Sequence, residues 1–258
     1  DFKLLRKKLN NLKTFSWFID VLDYDKELFT SIAFESNFVG MLSADDLDTL
    51  RPLIKKSPFL ESVVHLPCFY NEKVFFNDKS GKKIDVFFVG SWSHHRMKNR
   101  RKCLSWLAQI SKKYNLKTVI VARSSLKEPF KFLVDLFYGV KFLRYIKPGP
   151  LFGHGLAQYY RNSRFIIECP ADNQLDANPM RSYEALACGS SILFYGKSSK
   201  TPALPFYSYK DLERILCLNF SDEKSYQDLL PENSVQSNFL KINSLQSRID
   251  LICKLLIL

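Results

Sequence analysis

The sequence predicts an α/β protein made of two Rossmann-like domains with parallel sheets, of which the N-terminal domain is incomplete. Two observations carry this prediction. Short runs of β-branched and aromatic residues alternate with segments of helical period, which is typical of βα units. The runs form a smaller and a larger group, separated by the polar residues 71–83. Because a doubly wound domain needs more than the three strands of the smaller group, we expect part of the N-terminal domain to be missing.

The elements follow from these patterns in chain order. The smaller group predicts strands over 14–19, 37–42 and 62–66 and helices over 26–34 and 44–55. The larger group predicts strands over 84–89, 118–121, 140–143, 165–168 and 192–195, and helices over 98–114, 129–137, 156–161, 179–188 and 210–216. Apolar residues at helical spacing in 224–258 predict one or two more helices. We therefore expect a partial N-terminal domain over 1–78, a C-terminal domain over 79–237, and a C-terminal helix within 238–258 that packs back on the N-terminal domain.

Composition limits the classes of partner. The chain has 258 residues, of which 46% are hydrophobic and 14% aromatic, and this suits a well-packed globular core. Its formal net charge of +12 favours nucleic acid, an anionic membrane surface or phosphorylated small molecules. No window of about 18 apolar residues is present to span a bilayer. Six scattered cysteines without a CxxC pair predict reduced thiols and a cytoplasmic protein. The chain starts at Asp1 and not at Met, so we expect the natural protein to extend further at this end.

The most informative segment is 178–189, NPMRSYEALACG. It predicts a loop that enters a helix, so Asn178, Pro179, Met180 and Arg181 would present first-turn backbone N–H groups to an anion such as a diphosphate. Glu184, one turn further along, would bind ribose hydroxyls. Asp176 lies eight positions before Glu184. The alternative is an ordinary amphipathic helix that ends at Gly189, because Pro near the start and Gly at the end are common at helix termini.

Cations crowd the turn after the predicted strand 84–89. Gly90 and Ser91 form the turn, and Arg96, Lys98 and the run 100–102 follow. Cations are disfavoured at a helix N-terminus by roughly 0.3–1 kcal/mol each, which a bound anion would reverse. Ligands of open α/β sheets bind at the carboxyl ends of strands, where this turn lies. The alternative is that residues 100–102 simply face water.

Two further residues follow predicted strands. Arg123 could bind phosphate oxygens in bidentate fashion, or form a surface salt bridge. Asp20 could act as base toward an acceptor hydroxyl, or cap the following helix.

His94 and His95 are adjacent and have no Asp, Glu or Cys at metal-ligand spacing, so we expect no metal. The chain also lacks GxGxxG, GxxxxGK[ST] and GxSxG motifs, which weighs against dehydrogenases, P-loop proteins and hydrolases.

Together these segments resemble the GT-B glycosyltransferases of group 1, and more closely the CgeB-like, or spore-maturation-like, group. The resemblance rests on 17–20, 65–68 with Phe75, 85–91 with Arg96, 159–164 and 178–189. It implies a metal-independent hexosyltransferase without a cofactor, whose donor substrate is a nucleoside-diphosphate sugar. In related families a Glu-x7-Glu motif contacts donor sugar and ribose; its match here is Asp176 and Glu184, with Asp one methylene shorter. Arg96 and Arg123 are the matches for the basic pair that neutralises the diphosphate.

The resemblance also implies an acceptor, which can be a glycan, a protein or a lipid-linked molecule. A basic and aromatic surface suits a lipid-linked acceptor, so a peripheral contact at the inner face of the membrane stays open. Two other functions stay open from the sequence. One is a catalytically degenerate GT-B module that binds glycan or nucleotide without turnover. The other is a basic nucleic-acid-binding protein, which is disfavoured because aromatic and basic residues are not interleaved around residues 96–102.

Overall fold

The structure is a computed structural model. It describes residues 13–18, 26–41, 45–91, 98–122, 145–148, 151–170, 179–196, 201–221 and 233–257. The chain divides into two compact units, one within 1–69 together with 243–258 and the other within 70–242. The predicted boundaries at 78 and 237 stay predictions.

The first unit contains a three-stranded parallel sheet in the order β1-β2-β3. Its elements are β1 (Phe15–Phe18), α1 (Lys26–Phe34), β2 (Phe38–Met41), α2 (Asp45–Ile54), β3 (Ser62–His65) and, from the end of the chain, α8 (Leu245–Ile257). The central strand β2 is buried along its whole length, as its place between two neighbours requires. Edge strand β1 alternates between half-buried and buried residues, which is the period of a strand with one covered face.

The second unit contains a six-stranded parallel sheet with helices on both faces. Its strands are β4 (Ile84–Val89), β5 (Thr118–Ala122), β6 (Ile146–Pro148), β7 (Ser163–Glu168), β8 (Ser191–Tyr195) and β9 (Leu204–Phe206). Its described helices are α3 (Lys98–Tyr114), α4 (Gly153–Asn162), α5 (Met180–Ala187), α6 (Tyr209–Ser221) and α7 (Asn233–Ile242). Helices α3 and α6 contribute to one hydrophobic core, and α4, α5 and α7 to another.

The strand order of this sheet is β6-β5-β4-β7-β8-β9. Numbered from β4, this is the order 3-2-1-4-5-6 of a Rossmann sheet, in which the direction of strand addition reverses between β4 and β7. The two strands pair in parallel, with Phe87 beside Ile166. Their carboxyl ends therefore form the topological switch point, which is where open α/β sheets bind ligands.

Polar contacts hold residues 70–83 against the rest of the second unit. The Arg161 guanidinium donates to the Val74 carbonyl at 3.2 Å and pairs with Asp78 at 3.3 Å. Lys82 Nζ donates to the carbonyls of Arg161 at 3.0 Å and Cys188 at 3.4 Å. These carbonyls lie at the C-terminal ends of α4 and α5, where backbone acceptors lack partners within the helix. One lysine thus satisfies the ends of two helices.

Gly189 ends α5 with a φ of +74°, a conformation in which a side chain is strained. A Cβ at this position would also approach the Asn77 side-chain nitrogen to 2.5 Å. Glycine is therefore required here both by backbone geometry and by close packing.

The structure confirms an α/β fold with parallel sheets, and most described elements agree with the predicted ones. Helices α1 and α3 and strand β4 have the predicted bounds. The short strands β6 and β9 were not predicted. Neither the strand predicted over 140–143 nor the helix over 129–137 falls within the described residues.

Candidate functional site

The candidate site is the β4–β7 edge, which we define as the carboxyl end of β4 with Gly90 and Ser91, and the carboxyl end of β7 with Glu168 and Cys169. Helix α5 follows β7 in the chain and begins at Met180. Pro179 precedes it in an extended conformation, with φ −68° and ψ 149°, and no side chain caps the helix. Proline suits this position because it cannot donate a backbone hydrogen bond and favours helix entry.

Arg181, in the first turn of α5, joins the two strands at this edge. Its Nη2 forms an ion pair with Glu168 Oε1 at 2.9 Å, and its Nη1 donates to the Val89 carbonyl. The guanidinium also lies against Gly90, where any Cβ would overlap it and where φ is +151°. Gly90 is therefore needed for the close approach of this side chain to the turn.

Arg100 makes a second cross-connection from α3. Its Nε donates to the Cys169 carbonyl at 2.7 Å, and its Nη1 donates to the Ser91 carbonyl at 2.6 Å. The residue is only 5% exposed, and its guanidinium carbon lies 5.9 Å from the centre of the Phe88 ring. The alternative in which residues 100–102 all face water is wrong for Arg100. Its role here is structural, because its Nε and Nη1 donate to backbone carbonyls.

The carboxylate of Glu168 is nearly inaccessible, with 1% exposure. Burial raises the pKa of Glu168 above its usual value, and the positive charges of Arg181 and Arg100 offset part of that increase. A buried carboxylate that lies against a guanidinium at 2.9 Å is stabilised by a charge-assisted hydrogen bond. Glu168 thus supplies the charge that holds Arg181 at the edge.

Glu184 lies on α5 with 9% exposure. Burial raises the pKa of its carboxyl to about 7; Arg181 acts against this increase and Glu168 adds to it. Among the described residues, no side chain donates a hydrogen bond to this carboxylate. The fully buried Tyr160 on α4 is close enough for the Glu184 charge to raise its pKa further, beyond the effect of burial. The Tyr160 hydroxyl also lacks a hydrogen-bond partner among the described residues.

The structure brings together part of the predicted site. Gly90, Ser91 and Arg181 lie at the β4–β7 edge. Met180 and Glu184 belong to the helix that begins beside it, and Pro179 directly precedes that helix. Five predicted residues lie outside the described part of the chain: Asp20, Arg96, Arg123, Asp176 and Asn178. Their roles stay predictions.

Sequence reasoning missed Glu168 as well as the burial of Arg100. Glu168 ends an otherwise apolar run from Phe165 to Ile167, and a lone carboxylate in such a run is a signal for a buried charge. For Arg100 the sequence holds no such signal, since its neighbours Arg101 and Lys102 carry the same charge.

Among the described residues, no three His, Cys, Asp or Glu side chains come together as metal ligands. None of the helices described is both long and apolar enough to cross a membrane. Metal independence remains a prediction.

Comparison with known proteins gives structural matches only. No protein-family model matches the sequence, and no curated protein sequence matches it. A pneumococcal O-GlcNAc transferase, GtfA, solved with UDP and GlcNAc, has 12% identity and a TM-score of 0.56, with 90% of this chain and 47% of that chain covered. A TarM variant from S. aureus, solved with Fondaparinux, alpha-GlcNAc-glycerol and UDP, has 11% identity and a TM-score of 0.63, with 98% and 52% covered. A UDP-forming α,α-trehalose-phosphate synthase from Burkholderia vietnamiensis has 11% identity and a TM-score of 0.62, with 99% and 68% covered.

These structures establish the fold. They are GT-B glycosyltransferases, and the parallel sheets of this chain follow the same architecture. The chain spans about half the length of GtfA and of TarM. At 11–12% identity the likeness extends to the fold alone.

Proposed function

We propose that the protein is a glycosyltransferase that moves a sugar, as a hexosyl group, from a nucleoside-diphosphate sugar to an acceptor hydroxyl. The observation that carries the proposal is the buried Glu184 carboxylate, on the helix that begins beside the switch point of a GT-B fold. A carboxylate to which no side chain of the described residues donates is suited to accept hydrogen bonds from paired sugar hydroxyls. UDP in the GtfA and TarM structures supports a nucleotide as the donor's leaving group.

In this proposal the donor lies along the β4–β7 edge. Glu184 accepts hydrogen bonds from the ribose, and the first turn of α5 offers backbone N–H groups and its positive dipole end to the diphosphate. Pro179, which has no N–H, directly precedes the helix, and no side chain caps the first turn. An anion would take the place of such a cap.

The residues outside the described ranges complete the proposed reaction. The bond between the anomeric carbon and the diphosphate oxygen breaks, and the acceptor oxygen forms the new bond to that carbon. Arg96 and Arg123 neutralise the departing diphosphate without a metal, and Asp176 contacts the donor sugar. Asp20 takes the acceptor proton. The CgeB-like group remains our proposal for the subfamily.

We further propose that the acceptor is a glycan, a protein or a lipid-linked sugar, and that the protein works in the cytoplasm at the inner face of the membrane. The net charge of +12 supports attraction to anionic lipid. The six cysteines are all free in the structure, as a reducing compartment would keep them.

The test is calorimetric titration of the protein with UDP, GDP, dTDP, CMP and their common sugar conjugates. We expect one nucleotide series to bind, and Glu184→Ala to weaken that binding by about 1–3 kcal/mol, the scale of a lost hydrogen bond to a charged group. Turnover is then measured as nucleotide release from the sugar conjugate that binds.

A matched control is Glu213→Ala, because Glu213 lies on α6 and pairs with Lys113 at the surface. That variant is expected to bind like the unchanged protein. Equal affinity of Glu184→Ala and the unchanged protein would contradict the ribose assignment. Binding without any transfer or hydrolysis would instead favour a degenerate module.

A further inference from the structure

We propose that Arg181 and Glu168 form a positioning pair for the donor site, in which the guanidinium fixes the turn at Gly90 against α5 and favours the carboxylate form of Glu184. This inference rests on the proposed function and deepens it, because it says which residues set the position and the charge of the ribose-binding carboxylate. In this proposal neither Arg181 nor Glu168 contacts the reacting atoms.

The positioning part follows from the contacts of the guanidinium. Arg181 has one amino group on Glu168, at 2.9 Å, and the other on the Val89 carbonyl. The two partners lie on neighbouring strands, and the arginine itself lies in the first turn of the helix that carries Glu184. A planar fork that spans two acceptors fixes both distance and orientation, which the single ammonium of lysine cannot do.

The fit at the turn is equally specific. Gly90 has no side chain, and a Cβ there would overlap the Arg181 guanidinium. The arginine therefore occupies the space directly against the backbone of the proposed diphosphate turn. If Arg181 is shortened, the turn loses the group that it rests against, and the first turn of α5 loses its link to β4.

The charge part follows from the groups that face Glu184. In the described residues these are Arg181 on α5, Glu168 at the end of β7, Tyr160 on α4 and Cys188 after α5. Arg181 is the one cation in this set. Tyr160 and Cys188 stay neutral at ordinary pH because their pKa values are raised, that of Cys188 to about 12. Burial is the main reason that the pKa of Glu184 is raised, and the charges of Arg181 and Glu168 then act on it in opposite directions.

This balance predicts opposite effects for the two members of the pair. Removing the positive charge of Arg181 removes what favours the Glu184 carboxylate, so the pKa of Glu184 rises above about 7. Removing the negative charge of Glu168 takes away a repulsion, so the pKa of Glu184 falls. A residue pair with a purely mechanical role would not move this pKa in two directions.

The experiment measures the Glu184 carboxyl directly. Protein labelled with ¹³C-glutamate is titrated by NMR, and the Glu184 signal is assigned by its loss in Glu184→Gln. We expect Arg181→Gln to raise the midpoint by about one pH unit and Glu168→Gln to lower it. Lys112→Gln is the control, because Lys112 is an exposed cation in the last turn of α3 and its removal leaves the midpoint unchanged.

Arg181→Lys separates charge from geometry. It retains a cation near Glu184 but cannot bridge Glu168 and Val89 as a fork. We expect a Glu184 midpoint near that of the unchanged protein, together with nucleotide affinity at least about fivefold weaker at every pH from 6 to 9. Arg181→Gln is expected to lose about fivefold more affinity at pH 7 than at pH 9, because a midpoint near 8 leaves about a tenth of Glu184 ionised at pH 7, whereas about half is ionised in the unchanged protein.

The outcomes are distinct. A Glu184 midpoint that does not move, or that moves in the same direction in Arg181→Gln and Glu168→Gln, overturns the inference. Full affinity in Arg181→Lys overturns its positioning part. If the unchanged protein binds no nucleotide of the panel, the proposed function fails, whereas the NMR titration still decides whether the pair controls Glu184.

Discussion

Replacement of Arg100 by methionine gives the sharpest stability prediction, because this arginine is buried and its donors serve two fixed carbonyls. Methionine fills much of the same apolar path along α3 but donates no hydrogen bond. The carbonyls of Cys169 and Ser91 would then lose their partner. Leaving a buried acceptor unsatisfied costs about 1–3 kcal/mol.

The two carbonyls differ in exposure, and this sets the expected magnitude. Cys169 is fully buried, so its carbonyl bears the full cost, whereas Ser91 is half-buried and water can replace part of its bond. The contact of the guanidinium with the Phe88 ring is lost as well. We expect the free energy of unfolding to fall by about 3 kcal/mol in total.

Thermal unfolding is the assay. For a domain of 150–250 residues about 1 kcal/mol corresponds to 2–4 °C, so Arg100→Met should lower Tm by about 6–12 °C. Arg214→Met is the matched control, because Arg214 is exposed on α6, and a change within about 0.5 kcal/mol is expected there. Equal Tm values for the two variants would refute the assignment of Arg100 as a buried bridge between β4 and β7.

Three further predictions concern the second unit. The pKa of the Glu184 carboxyl is about 7 in the folded protein and near its ordinary value in the unfolded chain, so its contribution to stability is complete below about pH 4.5 and is lost as the pH rises through 7. Between these limits, urea titrations should show the free energy of unfolding of Glu184→Gln rising by about 3 kcal/mol relative to that of the unchanged protein. Gly189→Ala should cost about 1–2 kcal/mol through its positive φ and the overlap with Asn77, and Asn77→Ala in the same chain should recover part of this loss in a double-mutant cycle. Lys82→Met should cost about 1–2 kcal/mol by chemical denaturation because two helix-end carbonyls lose a donor; an unchanged midpoint would mean that water serves them equally well.

The regular part of the fold was predictable because its signal is local. Apolar runs of β4 and the periodic apolar face of α3 lie in continuous segments, so their bounds follow from the sequence. Strands β6 and β9 have three residues each, and both contain proline. A proline within a short segment argues against a strand when only the sequence of that segment is considered. They exist because a neighbouring strand offers a partner, and this is information that no single segment contains.

Residues of the candidate site could be predicted where one motif contains them. Glu184 and Arg181 lie three positions apart on one helix, so one segment predicts both. The role of the Arg181 side chain depends on Glu168 and Val89, which belong to other strands. The same holds for Arg100, whose burial is decided by carbonyls that reach it only after the sheet has formed. Polar contacts between distant segments leave no repeating pattern in the sequence from which they could be predicted.

The division of the chain has a consequence for synthesis. The second unit is continuous, within 70–242, whereas the first unit combines residues from 1–69 with 243–258. On a ribosome, every strand of the larger sheet therefore emerges before α8 does. Domains fold as they become complete during translation, so the larger unit can reach its native state before α8, an element of the smaller unit, has been synthesised. A stop codon after residue 242 would remove α8 from the smaller unit and leave every residue of the larger unit in place.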